Sequence, residues 1–396
     1  MRPGAMVFVG VFVALLGCET SASIDSAGPS GASGTGEGDD AIPAEGILAL
    51  DGEQTELYLR KLAPMLAGRV LSSAERERIR EQGGAVIRPI LEEWTGEPGF
   101  VQAARTMMEV RLASNGRSAT IDYDVPGRTV AKVVGGAEPW SRILTATTCY
   151  DDAGGEAPCD TGAPYTAGVL TTRAYMASRA GRFNLTRAGT MMSVFACEKY
   201  PIRDELEPRI AKDRLLEMFR AESAEEQTVD AVRAGFGNGL ACYSCHGQFS
   251  LHAQLFVKFD RDGLWVADAN GAQSTEVGAQ LGESVNGLMT SHLDDPTEMA
   301  AERSQVFDQS VQNLAEAARV LGESDAFREC AVKGLIEFAL GLDRGAKVER
   351  ELLVQIATRV HAQADDPTLQ HLMVETFTDA EVAYTTVRAL SPERGQ

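Results

Sequence analysis

The chain has 396 residues, of which 37 are Lys or Arg and 57 are Asp or Glu, so its formal charge is −20. It has no basic stripe that could neutralise a phosphate backbone, and nucleic acid is therefore excluded as an expected partner. The acidity fits a solvated surface, and it could also steer a basic redox partner protein toward the chain. The length is sufficient for two domains.

An export signal is predicted for residues 1–17. Met6 to Leu16 is an apolar run, too short to span a bilayer, that follows the positive charge of Arg2. It leads into Leu15-Leu16-Gly17-Cys18, which resembles the bacterial lipobox, where the signal is cut before the cysteine and that cysteine is diacylated. The alternative is an ordinary secretory signal with an incidental cysteine. We expect an exported protein that a lipidated Cys18 holds at a membrane, at the outer membrane or the periplasmic face.

A tether is predicted after the lipidated cysteine, over residues 18–46. From residue 19 onward it consists mainly of Ser, Gly, Ala, Asp and Glu, and it has no Lys or Arg. Such a composition cannot bury enough apolar surface to offset the entropy of ordering, so we expect this segment to be disordered.

Helices are predicted for most of the remaining chain. An N-terminal helical region over 47–148 contains a capping box, in which Ser72 is the N-cap and Glu75 the third helical residue. Ala119–Tyr123 is a candidate short strand. A loop over 149–162, bracketed by two cysteines, separates this region from the rest.

The second region, 163–390, contains the same kinds of signal. Ser223 with Glu226 and the segment Asp295–Glu298 predict further helix starts, and Leu264–Asp268 is a candidate short strand. Apolar residues spaced by three and four end at Gly341; they are Phe327, Cys330, Ala331, Leu335 and Phe338. The fold class we predict is all-α with minor β, a multi-helical body that carries one c-type haem.

The haem prediction depends on Cys242-Tyr243-Ser244-Cys245-His246. Two thiols three residues apart can add across the two haem vinyl groups, and the histidine that follows can be the proximal ligand of the iron. Half of a zinc site or a redox CxxC are the alternatives. A four-ligand zinc site needs a second ligand pair, and the chain has no other CxxC or HxxxH. The export signal favours haem, because c-type haem is attached outside the cytoplasm.

Four cysteines remain after Cys18 and the two haem thiols: Cys149, Cys159, Cys197 and Cys330. An even number in an exported protein indicates two disulfides. Cys149 with Cys159 is the local pair, and Cys197 with Cys330 would then join two helices across the haem segment. The alternative for the second pair is two buried free thiols.

The segments on either side of the haem motif indicate the kind of protein in which it occurs. Their order is Ala167-Gly168-Val169-Leu170-Thr171-Thr172, then Thr186-Arg187-Ala188-Gly189, the haem motif, Phe259-Asp260-Arg261-Asp262-Gly263, and Phe338-Ala339-Leu340-Gly341. This order resembles the planctomycete-type cytochrome c proteins of unknown function that also occur in myxobacteria. The resemblance implies a helical domain with one covalent haem, and it implies no substrate. The chain departs from the family pattern after the motif, where Phe249-Ser250-Leu251-His252 replaces Ile-Asp-Pro.

The sequence signals for the distal ligand and for a propionate contact are less specific than the motif. Met289 is the candidate distal ligand of the iron, with Met191, Met192, Met299, His252 and His292 as alternatives. Arg187 is a candidate contact for a haem propionate, because a guanidinium matches a carboxylate fork, and a surface salt bridge is its alternative.

Three functions from different classes remain open. The first is electron transfer by a membrane-tethered cytochrome, and the second is a peroxidase-like or ligand-binding haem enzyme with an open distal position. The third is a surface binding or scaffold lipoprotein with a structural haem. No acid–base group can be selected from the sequence, so we favour electron transfer and leave open whether the protein is an enzyme.

Overall fold

Helices make up most of the residues that the computed structural model describes, which are 42–180, 184–198, 252–267, 301–343 and 346–391. The expected multi-helical body with little strand is therefore confirmed for these residues. The predicted helix starts at Ser223 and Asp295 lie outside them.

The N-terminal region folds as a series of helices. A 3₁₀ turn at Gly46–Ala49, in which the predicted tether ends, precedes helix α1. The helices are α1 Gly52–Leu66, α2 Ser73–Gln82, α3 Ile87–Thr95, α4 Pro98–Leu112, α5 Val125–Gly135 and the single turn α6 Arg142–Thr145. α4 and α5 pack against each other, and Met107, Met108, Val130 and Val133 on these two helices are buried.

The capping box at the start of α2 is confirmed. The Ser72 hydroxyl accepts from the Glu75 amide at 3.2 Å, and the Glu75 carboxylate accepts from the Ser72 amide at 2.6 Å. The same carboxylate accepts from the Trp94 indole and from Arg69. Glu75 thus caps the start of α2 and joins this helix to α3 through Trp94.

The middle of the chain contains shorter elements. A 3₁₀ turn at Gly168–Thr171 leads into α7, Arg173–Ser178, and α8 spans Leu185–Phe195. A further 3₁₀ turn lies at Gln254–Phe256.

The C-terminal helices complete the body. They are α9 Leu314–Gly322, α10 Asp325–Leu340, α11 Arg350–Gln363, α12 Leu369–Phe377 and α13 Ala380–Leu390. α10 ends at Gly341, whose φ of 65° is the left-handed conformation that the apolar pattern with a terminal glycine predicts.

The N-terminal and C-terminal helices share one hydrophobic core. α1 packs on α10 and α13, and α3 packs on α12. The buried Tyr58 hydroxyl on α1 donates to the Phe377 carbonyl at the end of α12, over 2.9 Å. The regions 47–148 and 163–390, separate in the sequence prediction, therefore pack together where the structure describes them.

Strands occur only as short antiparallel pairs among the described residues. β1 Cys149–Tyr150 pairs with β2 Glu156–Ala157, and β3 Ser304–Val306 pairs with β4 Gln309–Val311. The predicted strand Ala119–Tyr123 is wrong, because this segment forms only a single bridge between Asp122 and Arg117. It lies in a tight turn in which the Ser118 hydroxyl caps backbone amides, and this leaves no partner strand.

The predicted strand Leu264–Asp268 is also reduced to a bridge, between Trp265 and Phe259, with Asp268 outside the described residues. The turn that precedes it is present as expected. Asp260 accepts from the Leu264 amide at 2.8 Å, and Gly263 adopts a φ of 78°. A Cβ on Gly263 would lie 2.9 Å from the Met176 Cβ, so glycine allows this turn to rest on α7.

Candidate functional site around helix α8

The chain on both sides of the predicted haem motif is held at opposite ends of helix α8. The motif residues Cys242, Cys245 and His246 lie outside the described residues, as do Cys18 and Met289. The structure describes the chain up to Glu198 before the motif and again from His252 after it. The site is therefore built from these two borders.

Arg187 holds the N-terminal end of α8. Its side chain is fully buried, and its Nε donates to the Met176 carbonyl on α7 at 2.9 Å. Nη1 donates to the Phe259 carbonyl at 2.9 Å, and Nη2 donates to the Asp260 carbonyl at 2.5 Å. The guanidinium thus joins α7, α8 and the turn that follows the motif.

Asn184 completes this junction from the residue before α8. It adopts the left-handed conformation, with a φ of 63°, which asparagine tolerates better than most residues. Its Oδ1 accepts from Arg187 Nη1 at 2.8 Å, and its Nδ2 donates to the Phe256 carbonyl at 3.1 Å. Asn184 and Arg187 therefore bond neighbouring carbonyls of the same 256–260 segment.

The Arg187 side chain has no exposed surface. Burial lowers the pKa of its guanidinium to about 9, while Tyr175 and Asp260 act in the opposite direction. The group therefore remains a cation at neutral pH. Its four bonds to Met176, Asn184, Phe259 and Asp260 use four of the five N–H groups of the fork. A surface salt bridge, the alternative for Arg187, does not describe this residue, and its role as a propionate contact stays a prediction.

The C-terminal end of α8 is held by a disulfide. Cys197 lies just beyond the helix, and its sulfur is bonded to that of Cys330 on α10. The disulfide, which the sequence left open against two buried free thiols, is present and joins positions 133 residues apart. Cys330 is buried, whereas Cys197 is half-buried and has a φ of 53°.

A second buried arginine lies against this disulfide. Arg111, in the last turn of α4, donates to the Val194 carbonyl at 2.8 Å and to the Cys330 carbonyl at 3.3 Å. Its Nη2 lies 3.1 Å from the Cys330 sulfur and 3.6 Å from the Cys197 sulfur. A Cβ on Gly334 would lie 1.7 Å from Arg111 Nη1, so the missing side chain provides the space that the guanidinium occupies.

Arg111 was not predicted from the sequence, although its spacing from apolar residues of α4 places it on the buried face of that helix. It lies four residues after Met107 and three after Met108, and both methionines are buried on the face of α4 that packs on the core. A cation at a core position of an amphipathic helix is expected to have a specific buried partner.

Ala301 and Glu302 each accept a hydrogen bond from a side chain that is distant in sequence. The Gln254 side chain donates to the Ala301 carbonyl, and the Tyr165 hydroxyl donates to Glu302 Oε1. Burial raises the pKa of Glu302, and the hydrogen bond from Tyr165 partly opposes this rise. These residues gave no signal in the sequence, because their partners are 47 and 137 positions away.

The histidines that the structure describes do not form a metal site. His252 is buried at the start of the segment after the motif, His361 is exposed at the end of α11, and His371 is partly exposed on α12. Within the described ranges, no group of three or more His, Cys, Asp or Glu side chains is placed to hold a metal ion.

The local disulfide closes a separate hairpin. Cys149 on β1 and Cys159 are bonded ten positions apart, around the turn that joins β1 to β2. Arg128 lies beside this hairpin and donates to the Tyr150 carbonyl at 2.8 Å and to Asp122 and Asp152. The Arg128 guanidinium beside this disulfide is therefore paired with the carboxylates of Asp122 and Asp152.

Comparisons with protein-family models, with curated proteins and with solved structures find no match to this chain. Of the helices in the described part of the chain, none is both long and apolar enough to cross a membrane.

Proposed function

We propose that the protein is a membrane-tethered, c-type cytochrome-like lipoprotein that binds one covalent haem and transfers electrons in the periplasm or at the outer membrane. One observation carries the proposal, which is the sequence Cys242-Tyr243-Ser244-Cys245-His246 in a chain whose residues 1–18 resemble an export and lipidation signal.

The donor set fits the cofactor. Two thiols would hold the haem through thioether bonds, His246 would be its proximal ligand, and Met289 would be the distal ligand. When bound, the haem supplies a one-electron couple. A methionine on the second face favours electron transfer, whereas an open position allows peroxide or small ligands to reach the iron.

The folded part supports the proposal through the two borders of the motif. The chain leaves α8 at the Cys197–Cys330 disulfide and returns at residues 256–260, which Asn184 and Arg187 hold by hydrogen bonds. The two disulfides also agree with an oxidising compartment, in which such bonds persist.

Optical spectra of the full chain, produced in a host with a working haem-attachment system, test the proposal. We expect a covalent haem band on a denaturing gel and a low-spin, six-coordinate spectrum that cyanide changes little. Cys242→Ala with Cys245→Ala should abolish the covalent band, and Cys149→Ala with Cys159→Ala, which removes a cysteine pair away from α8, is the matched control and should keep it. A protein without haem would overturn the proposal, and a high-spin haem that binds cyanide would favour a peroxidase-like enzyme instead.

Met289→Ala sharpens the test of electron transfer. If Met289 is the distal ligand, this variant becomes high-spin and its reduction potential falls, because loss of a thioether removes a ligand that favours the ferrous state. Met299→Ala is the matched control and should leave the spectrum unchanged. An unchanged spectrum in Met289→Ala would exclude this residue as the ligand.

A further inference from the structure

The two sulfurs of the Cys197–Cys330 disulfide differ in exposure and in charge environment. Cys197 is half-buried at the end of α8, where its left-handed backbone turns the chain away from the helix. Cys330 is only 1% exposed and lies in the interior of α10. A reagent arriving from solvent therefore meets the Cys197 sulfur first.

The buried sulfur has a cation beside it. Arg111 is 8% exposed, and its Nη2 is closer to the Cys330 sulfur, at 3.1 Å, than to the Cys197 sulfur, at 3.6 Å. A positive charge next to a sulfur favours the thiolate over the thiol. Gly334 leaves the space for this placement, since any Cβ there would collide with Arg111 Nη1.

We propose that Cys197–Cys330 is a thiol–disulfide exchange site, in which a dithiol reductant attacks the Cys197 sulfur and Arg111 stabilises the Cys330 thiolate that leaves. This site is separate from the haem motif, and it does not depend on haem being bound.

The exchange balances in two steps. A thiolate of the dithiol forms a bond to the Cys197 sulfur, and the Cys197–Cys330 bond breaks with its electron pair on Cys330. The second thiol of the reductant then loses its proton to solvent and attacks the mixed disulfide, which releases Cys197. Two electrons pass from the dithiol to the protein. The dithiol becomes a disulfide, Cys197 takes up one proton, and Cys330 stays ionised beside Arg111.

The arrangement accelerates the first step because a thiol that ionises more easily is a better leaving group. The Cys149–Cys159 bond is an internal reference, since it also pairs a buried with a half-buried cysteine. The arginine beside it, Arg128, is bonded to carboxylates and a carbonyl.

The position of attack is tested on the oxidised full chain with glutathione as the thiol probe, followed by alkylation and peptide mass mapping. We expect glutathione on Cys197 and the alkyl group on Cys330. Glutathione on Cys330, or no reaction at this pair under conditions that open Cys149–Cys159, would overturn the proposal.

The role of Arg111 is tested by the rate of reduction with dithiothreitol. An adjacent positive charge lowers the pKa of a thiol by about 1–3. Arg111→Met should therefore slow the opening of Cys197–Cys330 on the order of ten-fold. Arg111→Lys keeps the charge and should recover most of the rate, and the rate for Cys149–Cys159 should not change in either variant. An equal rate in Arg111→Met and the original chain would overturn the proposal.

A second measurement covers the case in which Arg111→Met does not fold. Cys197→Ser and Cys330→Ser each leave one thiol of the pair, and the ultraviolet absorbance of the thiolate at neutral pH reports its ionisation. Cys197→Ser, which leaves Cys330 beside Arg111, should show a larger thiolate fraction than Cys330→Ser. An equal or smaller fraction would overturn the proposal without any change at Arg111.

Discussion

The two ends of helix α8 are held by different chemistry. At the N-terminal end, Arg187 and Asn184 bond the carbonyls of residues 256–260 through hydrogen bonds alone. At the C-terminal end, Cys197 is bonded covalently to Cys330, and Arg111 fills the space beside the sulfurs. The first junction responds only to the loss of folding, whereas the second can also be opened by a reductant.

Both junctions use a buried guanidinium that donates to backbone carbonyl oxygens of other segments. Arg187 bonds the carbonyls of Met176, Phe259 and Asp260, and Arg111 bonds those of Val194 and Cys330. A planar fork with five N–H groups can satisfy several such carbonyls at once. The borders of the motif therefore depend on two arginines that form no part of the motif.

The largest effect is expected from removing the covalent link. Cys197→Ser with Cys330→Ser should lower the free energy of unfolding by about 5 kcal/mol, against roughly 3 kcal/mol for Cys149→Ser with Cys159→Ser, because the loop closed by the first pair is far longer. Denaturant unfolding of the two double variants measures both values. A greater loss from the local pair would show that the link at α8 adds little.

The next effect is expected at the other end of α8. Arg187→Met should lower the free energy of unfolding by about 4 kcal/mol, because it leaves several buried acceptors without donors. Arg187→Lys should recover part of this loss. Arg319→Ala is the control, since Arg319 forms only an exposed ion pair with Glu323. If Arg187→Met were as mild as the control, the hydrogen-bonded junction would not hold the border of the motif.

Asn184 should contribute less than Arg187. Asn184→Ala should lower the free energy of unfolding by about 2 kcal/mol, through the lost hydrogen bonds and the left-handed backbone. Asn184→Gly removes the same bonds, but glycine adopts the left-handed conformation without the strain that alanine has there. The difference between the two variants therefore isolates the cost of the backbone conformation. Thermal unfolding compares them, and equal effects would assign the whole cost to the hydrogen bonds.

The smallest effect on the free energy of unfolding is expected away from α8, at the Glu75 carboxylate that joins α2 to α3. Burial favours the neutral form of Glu75, but hydrogen bonds from Arg69, Trp94 and Ser72 outweigh it and lower its pKa from 4.5 to about 2. A lowered pKa means that Glu75 stabilises the fold fully above about pH 4.5 and that this contribution is lost as the pH falls toward 2.

Glu75→Gln should therefore cost about 1 kcal/mol near neutral pH and reduce the loss of stability on acidification. Unfolding at about pH 5 and about pH 3 tests this, because the variant has no proton to bind at this position. An identical acid response in the variant and the original chain would exclude Glu75 as its source.

Local signals predicted the parts of the fold that local chemistry decides. The Ser72 capping box and the Gly341 terminus depend on residues within one or two turns, and the short Cys149–Cys159 loop has one near partner. The candidate strand Ala119–Tyr123 failed because a strand needs a partner, and its composition could not show that none lies beside it.

The candidate site was less predictable because its hydrogen bonds join residues that are far apart in sequence. Arg187 was selected as a haem contact from its chemistry, and its actual acceptors at residues 259 and 260 are 72 and 73 positions away. The acceptors of Arg111 are 83 and 219 positions away, beyond what helical spacing can indicate. The thiols and imidazole of the motif are different, since they are adjacent in sequence and their order alone carries the chemistry.

Peptide mass mapping of the full chain, produced with haem attachment active, tests the central claim most directly. We predict one haem on the peptide that contains Cys242 and Cys245, together with a Cys197–Cys330 linked peptide in the same digest. Free thiols at Cys242 and Cys245, or a disulfide between them, would contradict it.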